Sequence, residues 1–235
     1  MSKRAIIMAG GKGTRLRPYT SVLPKPMMPI GDSPIIELVI RQLVKGGFEH
    51  ITLSVNHQAD IIKAYFLGGE RLGVKIDYIL ETKPLGTMGS LKLIKDLPDD
   101  FLIMNGDILT DLKYGHLYDE HVSNQNVFTI SSKQREVKID YGVLSIENDL
   151  LISIQEKPTQ SFDVSMGVYM ANKKIISFIE EDVEYGFDKL MVDLLAGGLS
   201  PKVKNHDGYW LDIGRPDDYM KAIDDYEQKR SIFEE

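Results

Sequence analysis

Short apolar runs alternate with helical patterns through the first half of the chain, and this alternation restricts the fold more than any other feature. The apolar runs that predict strands are Ala5–Met8, Ile51–Val55, Val74–Leu80 and Phe101–Met104. The segments with the spacing of amphipathic helices are Pro34–Lys45, Ala59–Leu67 and Thr87–Leu97. For the first helix we expect Ser33 as the N-cap and Gly46 at the end. Repeated strand, helix and strand indicate a mostly parallel sheet covered on both faces.

The pattern changes after residue 125, where strand-like segments follow one another without helices between them. These segments are Val127–Ser131, Lys138–Ile146, Leu150–Glu156 and Ser165–Met170. They predict an inserted antiparallel region, with a turn at Asn148 and Asp149. Later segments predict helices at Lys173–Glu180, Asp188–Ala196 and Pro216–Lys229, and a hairpin near Lys202–Ile213. Because no linker divides the chain, we predict one α/β domain over residues 1–235.

Composition and charge exclude several functional classes. The 235 residues include 28 Lys and Arg against 35 Asp and Glu, a formal net charge of −7. Nucleic-acid binding is therefore not expected, since it needs a basic face. The absence of cysteine excludes disulfides, cysteine-bound metals and thiol nucleophiles. The start of the chain is too short in apolar residues for a signal peptide, and no window reaches the ~20 apolar residues of a membrane span. We expect a cytoplasmic protein without a membrane partner.

A glycine-rich loop with two arginines follows the first predicted strand. Three of the four residues from Gly10 to Gly13 are glycine, which lets backbone N–H groups approach a polyphosphate closely. The spacing is not that of a Walker loop, and Leu16 stands where a dinucleotide loop needs a small residue. Such a turn can be purely structural. Arg15 and Arg17 nevertheless favour phosphate binding, because guanidinium groups suit phosphate oxygens.

A lysine and two aspartates are further candidates for phosphate chemistry. Lys25 lies between Pro24 and Pro26, which restrict the backbone around it. Beside a cationic glycine loop, this favours a positioned phosphate-binding lysine over a solvated one. Asp107 follows a predicted strand, at the edge where α/β sheets bind ligands. Together with Asp212, it makes a plausible Mg²⁺ pair, because Mg²⁺ near phosphates takes one or two carboxylates.

These motifs resemble those of the sugar-1-phosphate nucleotidyltransferases, also called nucleoside-diphosphate-sugar pyrophosphorylases. The resemblance is carried by residues 8–18 and 23–26, and continues in family order through 84–87, 105–107, 141–143, 156–158 and 210–216. It is strongest toward the mannose-1-phosphate guanylyltransferase branch. Met166 departs from the Asn or Ala that is usual there, which leaves the shape of the sugar pocket open. Those relatives usually carry a C-terminal left-handed β-helix, and we expect none here.

The resemblance implies a fold, a reaction and a set of site residues. The fold is a Rossmann-like three-layer α/β/α domain, with residues 1–125 mainly for the nucleotide and 126–235 mainly for the sugar phosphate. The reaction is Mg²⁺-dependent attack by a sugar 1-phosphate on the α-phosphorus of a nucleoside triphosphate, with release of pyrophosphate. Catalysis is assigned to Arg15, Lys25 and Asp107, and the metal to Asp107 and Asp212. Nucleotide binding is assigned to Ala9, Gly10, Gly11, Gly13, Thr14, Glu81, Pro84, Gly86 and Thr87. Sugar-phosphate binding is assigned to Gly142, Glu156, Lys157 and Gly167.

The choice of base depends on Glu81, which stands where thymidine-specific relatives place a base-reading Gln. An ionised carboxylate only accepts hydrogen bonds. Guanine presents two adjacent donors, whereas uracil and thymine present one between two carbonyls. We therefore expect GTP, with mannose 1-phosphate or a related hexose or heptose. The alternatives are a uridylyl- or thymidylyltransferase of the same family and a non-catalytic regulatory subunit. Homo-oligomer formation is left open.

Overall fold

The computed structural model describes residues 2–56 and 58–234. Its strands are β1 (Lys3–Met8), β2 (Pro29–Ile30), β3 (Ser33–Pro34), β4 (Phe48–Val55), β5 (Lys75–Leu80), β6 (Asp100–Asn105), β7 (Ile108–Thr110), β8 (Phe128–Lys138), β9 (Gly142–Glu147), β10 (Leu150–Glu156), β11 (Thr159–Asn172), β12 (Lys202–Asn205) and β13 (Trp210–Asp212). Its α-helices are α1 (Ile35–Lys45), α2 (Ala59–Phe66), α3 (Gly86–Gly89), α4 (Tyr114–Ser123), α5 (Phe187–Ala196), α6 (Pro216–Gln228) and α7 (Arg230–Glu234). In the described parts of the chain, no helix combines the length and the apolar character needed to cross a membrane.

The central sheet is mixed and mostly parallel, as predicted. Its seven strands lie in the order β12-β8-β11-β6-β1-β4-β5. Strand β1 is parallel to β4 and β6, and β4 is parallel to β5, whereas β11 runs antiparallel to both of its neighbours. The carboxyl ends of β1, β4, β5 and β6 therefore meet at one edge, which is where ligands bind in such sheets.

Alternate residues of the central strands are buried on opposite faces of the sheet, which confirms the three-layer arrangement. Ile6 and Ile103 belong to a hydrophobic cluster that includes residues of α3 and α5. Ile7 and Met104 belong to a second cluster, with residues of α1, α2 and α4. Burial on both faces makes such strands continuous apolar runs, and this is why they could be recognised in the sequence.

Two predicted helices are shorter than expected. The predicted helix Thr87–Leu97 is the four-residue α3 followed by a 3₁₀ turn over Ser90–Leu93, and it ends because Ile94 is extended. The predicted helix Lys173–Glu180 is a 3₁₀ segment, Lys173–Phe178.

The predicted hairpin Lys202–Ile213 and the predicted N-cap Ser33 are wrong. Strand β12 pairs with β8 and β13 pairs with β7, so the two strands lie in different sheets. Strand β12 extends the edge of the central sheet, whereas β13 and β7 form a separate two-stranded sheet. Ser33 is paired with Ile30 in the β2–β3 ladder, and Pro34 precedes α1 without a side-chain cap. The end of α1 at Gly46 is confirmed.

The antiparallel insertion is confirmed, and it extends beyond the main sheet. We call residues 133–165 the β-arm. Its first part is the portion of the β8–β11 ladder in which β11 no longer pairs with β6. Its second part is the β9–β10 hairpin, joined to the first by backbone bonds from Ile139 to Pro158 and from Lys157 to Tyr141. None of the residues of the arm, all of them described, is buried, so strand pairing rather than core packing maintains it.

Candidate active site

A cavity of about 400 Å³ opens at the carboxyl edge of the parallel strands. Its volume is within the ~300–1,000 Å³ typical of small-molecule sites. The residues that line it are Met8, Gly10, Gly11, Lys12, Lys25, Pro26, Asn56, Glu81, Pro84, Gly86, Thr87, Asn105, Asp107 and Glu184. Eight of these are site residues predicted from the sequence: Gly10, Gly11, Lys25, Glu81, Pro84, Gly86, Thr87 and Asp107. Segments far apart in the chain thus meet in one cavity.

Lys25 and Asp107 form an ion pair in the wall of this cavity. The Lys25 Nζ contacts Oδ2 of Asp107, and the two side chains are only 11% and 18% exposed. The backbone of Lys25 is fixed by a 3₁₀ turn, because its carbonyl accepts the N–H of Met28 at 3.1 Å. In the described chain, the other carboxylate oxygen, Oδ1 of Asp107, is buried without a hydrogen-bond partner. Such an atom is costly unless something binds it, so it is a candidate ligand for a cation.

Backbone pairing holds Asp212 beside Asp107. Strand β13 pairs with β7, and the N–H of Ile213 donates to the carbonyl of Asp107 at 3.1 Å. Partial burial raises the pKa of Asp212, the charge of Asp107 raises it further, and the charges of Lys25 and Arg15 oppose the shift. A divalent cation would relieve the repulsion between the carboxylates and satisfy the free Asp107 oxygen, so these residues fit Mg²⁺.

In the part of the chain that the structure describes, no third acidic or histidine side chain joins this pair to form a metal-binding group. Within the described residues, no group of three or more His, Asp or Glu side chains is arranged to hold a metal ion. Mg²⁺ bound near phosphates uses one or two carboxylates and takes its other ligands from phosphate and water. A pair is therefore the arrangement that suits a nucleotide-bound ion, and it does not suit a metal bound by protein alone.

Glu81 is held in a fixed position at the end of β5. The Ser54 hydroxyl donates to Oε1 of Glu81 at 2.6 Å, and Ser54 is fully buried in β4. The Glu81 N–H donates to the carbonyl of Val55 at 2.8 Å. Gly10 faces this carboxylate, since a Cβ on it would lie 3.5 Å from Oε1 and 3.2 Å from the side chain of Asn56. The glycine therefore keeps space open between the loop and Glu81.

Helix α3 is held against the cavity by the backbone of Tyr185. The Tyr185 carbonyl accepts two N–H groups of α3 at 3.0 and 3.1 Å, and its own N–H donates to Leu85 at 2.8 Å. Gly86 has φ +70°, and a Cβ there would lie 2.8 Å from the Tyr185 carbonyl oxygen. Only glycine fits this close approach. The same contacts bring the preceding residue, Glu184, into the cavity wall.

Six residues of the cavity wall were not among the predicted site residues: Met8, Lys12, Pro26, Asn56, Asn105 and Glu184. Only Asn56 and Glu184 lie outside the sequence motifs. Asn56 directly follows β4, so the rule that ligands collect at the ends of parallel strands could have found it. Glu184 lies in a loop between a 3₁₀ segment and α5. No local pattern marks it, because its position depends on the long-range contacts of Tyr185.

Four predicted loop residues lie outside the cavity lining: Ala9, Gly13, Thr14 and Arg15. Ala9 is buried, and its N–H donates to the Ser54 carbonyl at 2.8 Å. Gly13, at φ +58°, packs closely on Lys25, since a Cβ on it would lie 3.0 Å from that of the lysine. Thr14 opens a 3₁₀ turn, and the charge of Arg15 acts on Asp212. These residues shape the loop and its electrostatics.

The predicted sugar-phosphate residues also lie outside the lining of this cavity. Gly142 and Glu156 pair across the hairpin of the β-arm. The Lys157 Nζ lies 4.0 Å from Oε1 of Glu156, and the two side chains are 57% and 71% exposed. Gly167 lies at the base of the arm, where a Cβ would lie 2.7 Å from the side-chain nitrogen of Asn105. The structure thus places Gly167 next to the cavity and the other three residues on the arm.

Trp210 and Met166 connect the base of the β-arm to the main sheet. The Trp210 Nε1–H donates to the Met166 carbonyl at 3.0 Å, and the guanidinium of Arg135 lies 5.8 Å from the indole ring. Met166 itself is buried. The lone tryptophan therefore fixes where the arm leaves the sheet, and the unusual methionine is a core residue at that point.

Comparisons with known proteins agree with this geometry. Residues 4–229 match the family model described as nucleotidyl transferase. The chain is 35% identical to a UTP–glucose-1-phosphate uridylyltransferase from Synechocystis sp., over 94% of this chain and 62% of that protein. It is 33% identical to the D-glycero-α-D-manno-heptose 1-phosphate guanylyltransferase from Campylobacter jejuni, over 94% of this chain and 98% of that protein. The chain thus spans less than two thirds of the first relative and nearly all of the second.

A solved structure and further relatives point the same way. HddC from Yersinia pseudotuberculosis, complexed with GMP-PN, is 29% identical, with a TM-score of 0.71 over 95% of this chain and 99% of that one. Mannose-1-phosphate guanylyltransferases from Yarrowia lipolytica and Mycobacterium tuberculosis are also among the relatives. The resemblance noted in the motifs is therefore confirmed.

Proposed function

The chain belongs to the nucleotidyl transferase family, and on that premise we propose that it transfers a guanylyl group from GTP to a sugar 1-phosphate, with release of pyrophosphate. The acceptor is a sugar of manno configuration, either mannose 1-phosphate or a manno-heptose 1-phosphate. The observation that carries the proposal is the buried ion pair of Lys25 and Asp107 beside the glycine loop, in a cavity that also holds Glu81.

The reaction needs positioning and positive charge rather than a general base. The attacking oxygen of a sugar 1-phosphate is already anionic at neutral pH, so no proton has to be removed from it. The two anionic substrates repel each other, and the site must hold them together. Lys25 supplies a positive charge that is fixed before the substrates bind, and the N–H groups of the Gly10–Gly13 loop are suited to phosphate oxygens.

Asp107 and Asp212 would hold Mg²⁺, which supplies positive charge to the triphosphate when bound. Two observations support this assignment: among the described residues Oδ1 of Asp107 has no hydrogen-bond partner, and burial, followed by the charge of Asp107, raises the pKa of Asp212. Lys25 forms an ion pair with the other oxygen of this carboxylate, Oδ2. Asp107 would therefore position the lysine as well as offer an oxygen to the ion.

Glu81 is the proposed reader of guanine. Its carboxylate is fixed by Ser54 at the end of β5, within the cavity wall. A fixed acceptor favours a base that presents two neighbouring donors, and guanine does so through N1–H and the 2-amino group. The guanylyltransferase names of the Campylobacter and Yarrowia relatives support this choice.

Glu156, Lys157, Gly142 and Gly167 are the proposed sugar-phosphate residues. Lys157 would pair with the phosphate, and Glu156 would accept hydrogen bonds from sugar hydroxyls. The manno configuration rests on the relatives whose names specify mannose or a manno-heptose. Gly167 supports the assignment from the structure, because it adjoins Asn105 in the cavity wall.

The deciding experiment measures pyrophosphate release with GTP, UTP, dTTP, CTP and ATP, each paired with mannose, manno-heptose and glucose 1-phosphates. We expect the highest kcat/KM for GTP with a manno sugar, and no activity without a divalent cation. Preference for UTP with glucose 1-phosphate, the pair named for the Synechocystis relative, would contradict the role of Glu81 and leave the reaction class unchanged. A Lys25→Ala variant controls for contaminating activity.

A further inference from the structure

Arg135 lies on the β-arm beside the only tryptophan of the chain and has no acidic partner. Its guanidinium carbon lies 5.8 Å from the centre of the Trp210 indole ring. Within the described chain, Arg135 forms no ion pair and no hydrogen bond, so the ring is its only polar or aromatic contact. An arginine placed over an aromatic face keeps its N–H groups available for an anion. The side chain is therefore positioned but not neutralised.

The register of the β8–β11 ladder explains why no carboxylate of the arm neutralises Arg135. Arg135 stands opposite Phe162, and the nearest acidic positions along the two strands are Glu136 and Asp163, one residue away on each strand. Because successive residues of a strand point to opposite faces, both carboxylates lie on the other face of the ladder. The positive charge of Arg135 thus stands on the face of Trp210 without an acidic neighbour from its own ladder.

Trp210 connects this charge to the side of the cavity where the sugar phosphate is expected. The Trp210 Nε1–H donates to the carbonyl of the residue before Gly167 at 3.0 Å. Gly167 in turn approaches the cavity wall, since a Cβ on it would lie 2.7 Å from the side-chain nitrogen of Asn105. Trp210 and Asp212 are the first and third residues of β13, so their side chains share one face, roughly 7 Å apart along the strand. Arg135 therefore stands between the β-arm and the strand of the proposed metal site.

A sugar 1-phosphate needs more positive charge than Lys157 supplies. A phosphate monoester carries about −1.5 to −2 charges at neutral pH, whereas Lys157 carries one positive charge and lies 4.0 Å from the carboxylate of Glu156. The other two lysines of the β-arm are engaged or misplaced. The Lys133 Nζ donates to two backbone carbonyls at 2.7 and 2.8 Å, and Lys138, three residues beyond Arg135 in β8, lies on the opposite face of the ladder. Arg135 is the remaining cation of the arm.

We propose that Arg135, positioned by the ring of Trp210, is a second cation that binds the phosphate group of the sugar 1-phosphate. Its planar guanidinium can donate to two phosphate oxygens at once, which a lysine ammonium does not do in a fixed geometry. Arg135 takes no proton and forms no bond in the reaction; it binds the acceptor. This assignment rests on the proposed function, but it holds for any sugar and any base, because the phosphate is common to all sugar 1-phosphates.

Steady-state kinetics tests the proposal on the whole chain, with the triphosphate and sugar 1-phosphate that give the highest turnover. Arg135→Ala is expected to raise KM for the sugar 1-phosphate roughly 10- to 100-fold, the size of a charged hydrogen bond, and to leave KM for the triphosphate unchanged. Arg135→Lys keeps the charge without the planar geometry and should lie between the two. Lys138→Ala, which removes one positive charge from the other face of the same strand, is the matched control. If Arg135→Ala has the kinetics of Lys138→Ala, the proposal is wrong.

Tryptophan fluorescence separates this proposal from the proposed reaction. Failure of the reaction would appear as a parent protein without turnover on any substrate pair, and binding is then read from Trp210, the only tryptophan in the chain. Mannose 1-phosphate and glucose 1-phosphate are each titrated into the parent protein, Lys138→Ala and Arg135→Ala. We expect a saturable change in the first two, at concentrations roughly tenfold or more below those needed for Arg135→Ala. An equal response in the parent protein and Arg135→Ala, or no response in an inactive parent protein, overturns the proposal.

Discussion

The nucleotide side and the sugar side of the proposed site are held in place by different means. Lys25 and Asp107 are largely buried and are fixed by turns and strands that pack on the core. Glu156 and Lys157 lie exposed on an arm with no buried residue. A buried scaffold keeps charged groups preorganised for phosphate chemistry, whereas an arm held by strand pairing can change its side chains at little cost to the core. The relatives, whose names specify different sugars, are consistent with this division.

The largest loss of activity is expected from a change on the buried nucleotide side, Lys25→Ala. Turnover should fall on the order of 10²-fold or more, because the change removes a fixed positive charge at the reacting phosphate. The measurement is kcat with GTP and a manno sugar 1-phosphate, at a temperature where circular dichroism shows the variant folded. Lys174→Ala, at an exposed position far from the cavity, is the control. Near-normal turnover would show that burial of this lysine serves structure alone.

The two carboxylates on the same side should behave as one unit. Asp107→Asn and Asp212→Asn should each lower Mg²⁺-dependent turnover roughly 10²-fold, because each removes a hard oxygen ligand. The double variant should be barely worse than either single one if both bind one ion. Turnover is measured across a Mg²⁺ titration. If the double variant lost turnover by the product of the two single losses, the two residues would have independent roles.

A smaller and more selective effect is expected on the exposed side. Lys157→Ala should raise KM for the sugar 1-phosphate about tenfold, the size of one charged hydrogen bond, and leave KM for GTP unchanged. Thermal unfolding should shift little, since exposed substitutions usually stay within about 0.5 kcal/mol. Lys138→Ala, an exposed lysine on the same β-arm, is the matched control. If the two variants have the same kinetics, Lys157 does not bind the sugar phosphate.

The smallest effect is expected from Ser54→Ala, which leaves Glu81 in place but no longer fixed by its hydrogen bond. The loss of about 1 kcal/mol for one such bond corresponds to roughly fivefold in kcat/KM for GTP. A structural defect alone would lower all triphosphates together, so the readout is the ratio of GTP to UTP. That ratio should fall in Ser54→Ala and in Glu81→Gln, without further loss in the double variant.

Prediction from sequence succeeded where a local pattern determines the position. The strands of the parallel sheet could be recognised because burial on both faces makes them continuous apolar runs, and this also located Asp107 and Glu81 at strand ends. The pairing partners of the short strands could not be predicted in this way. Strands β12 and β13 each pair with a strand that is distant in the sequence. Glu184 is brought to the cavity by the backbone contacts of Tyr185.

The backbone bond from Ile213 to Asp107 also bears on how the site is assembled during synthesis. Asp107 emerges from the ribosome with the first half of the chain, but its partner Asp212 follows only near the end. Helix α6, which starts just after β13, packs Tyr219 and Tyr226 into the cluster that contains Leu16. The parallel strands β1, β4, β5 and β6 are therefore synthesised long before the acidic pair is complete. If the pair binds Mg²⁺ as proposed, the metal site can form only after nearly the whole chain has been made.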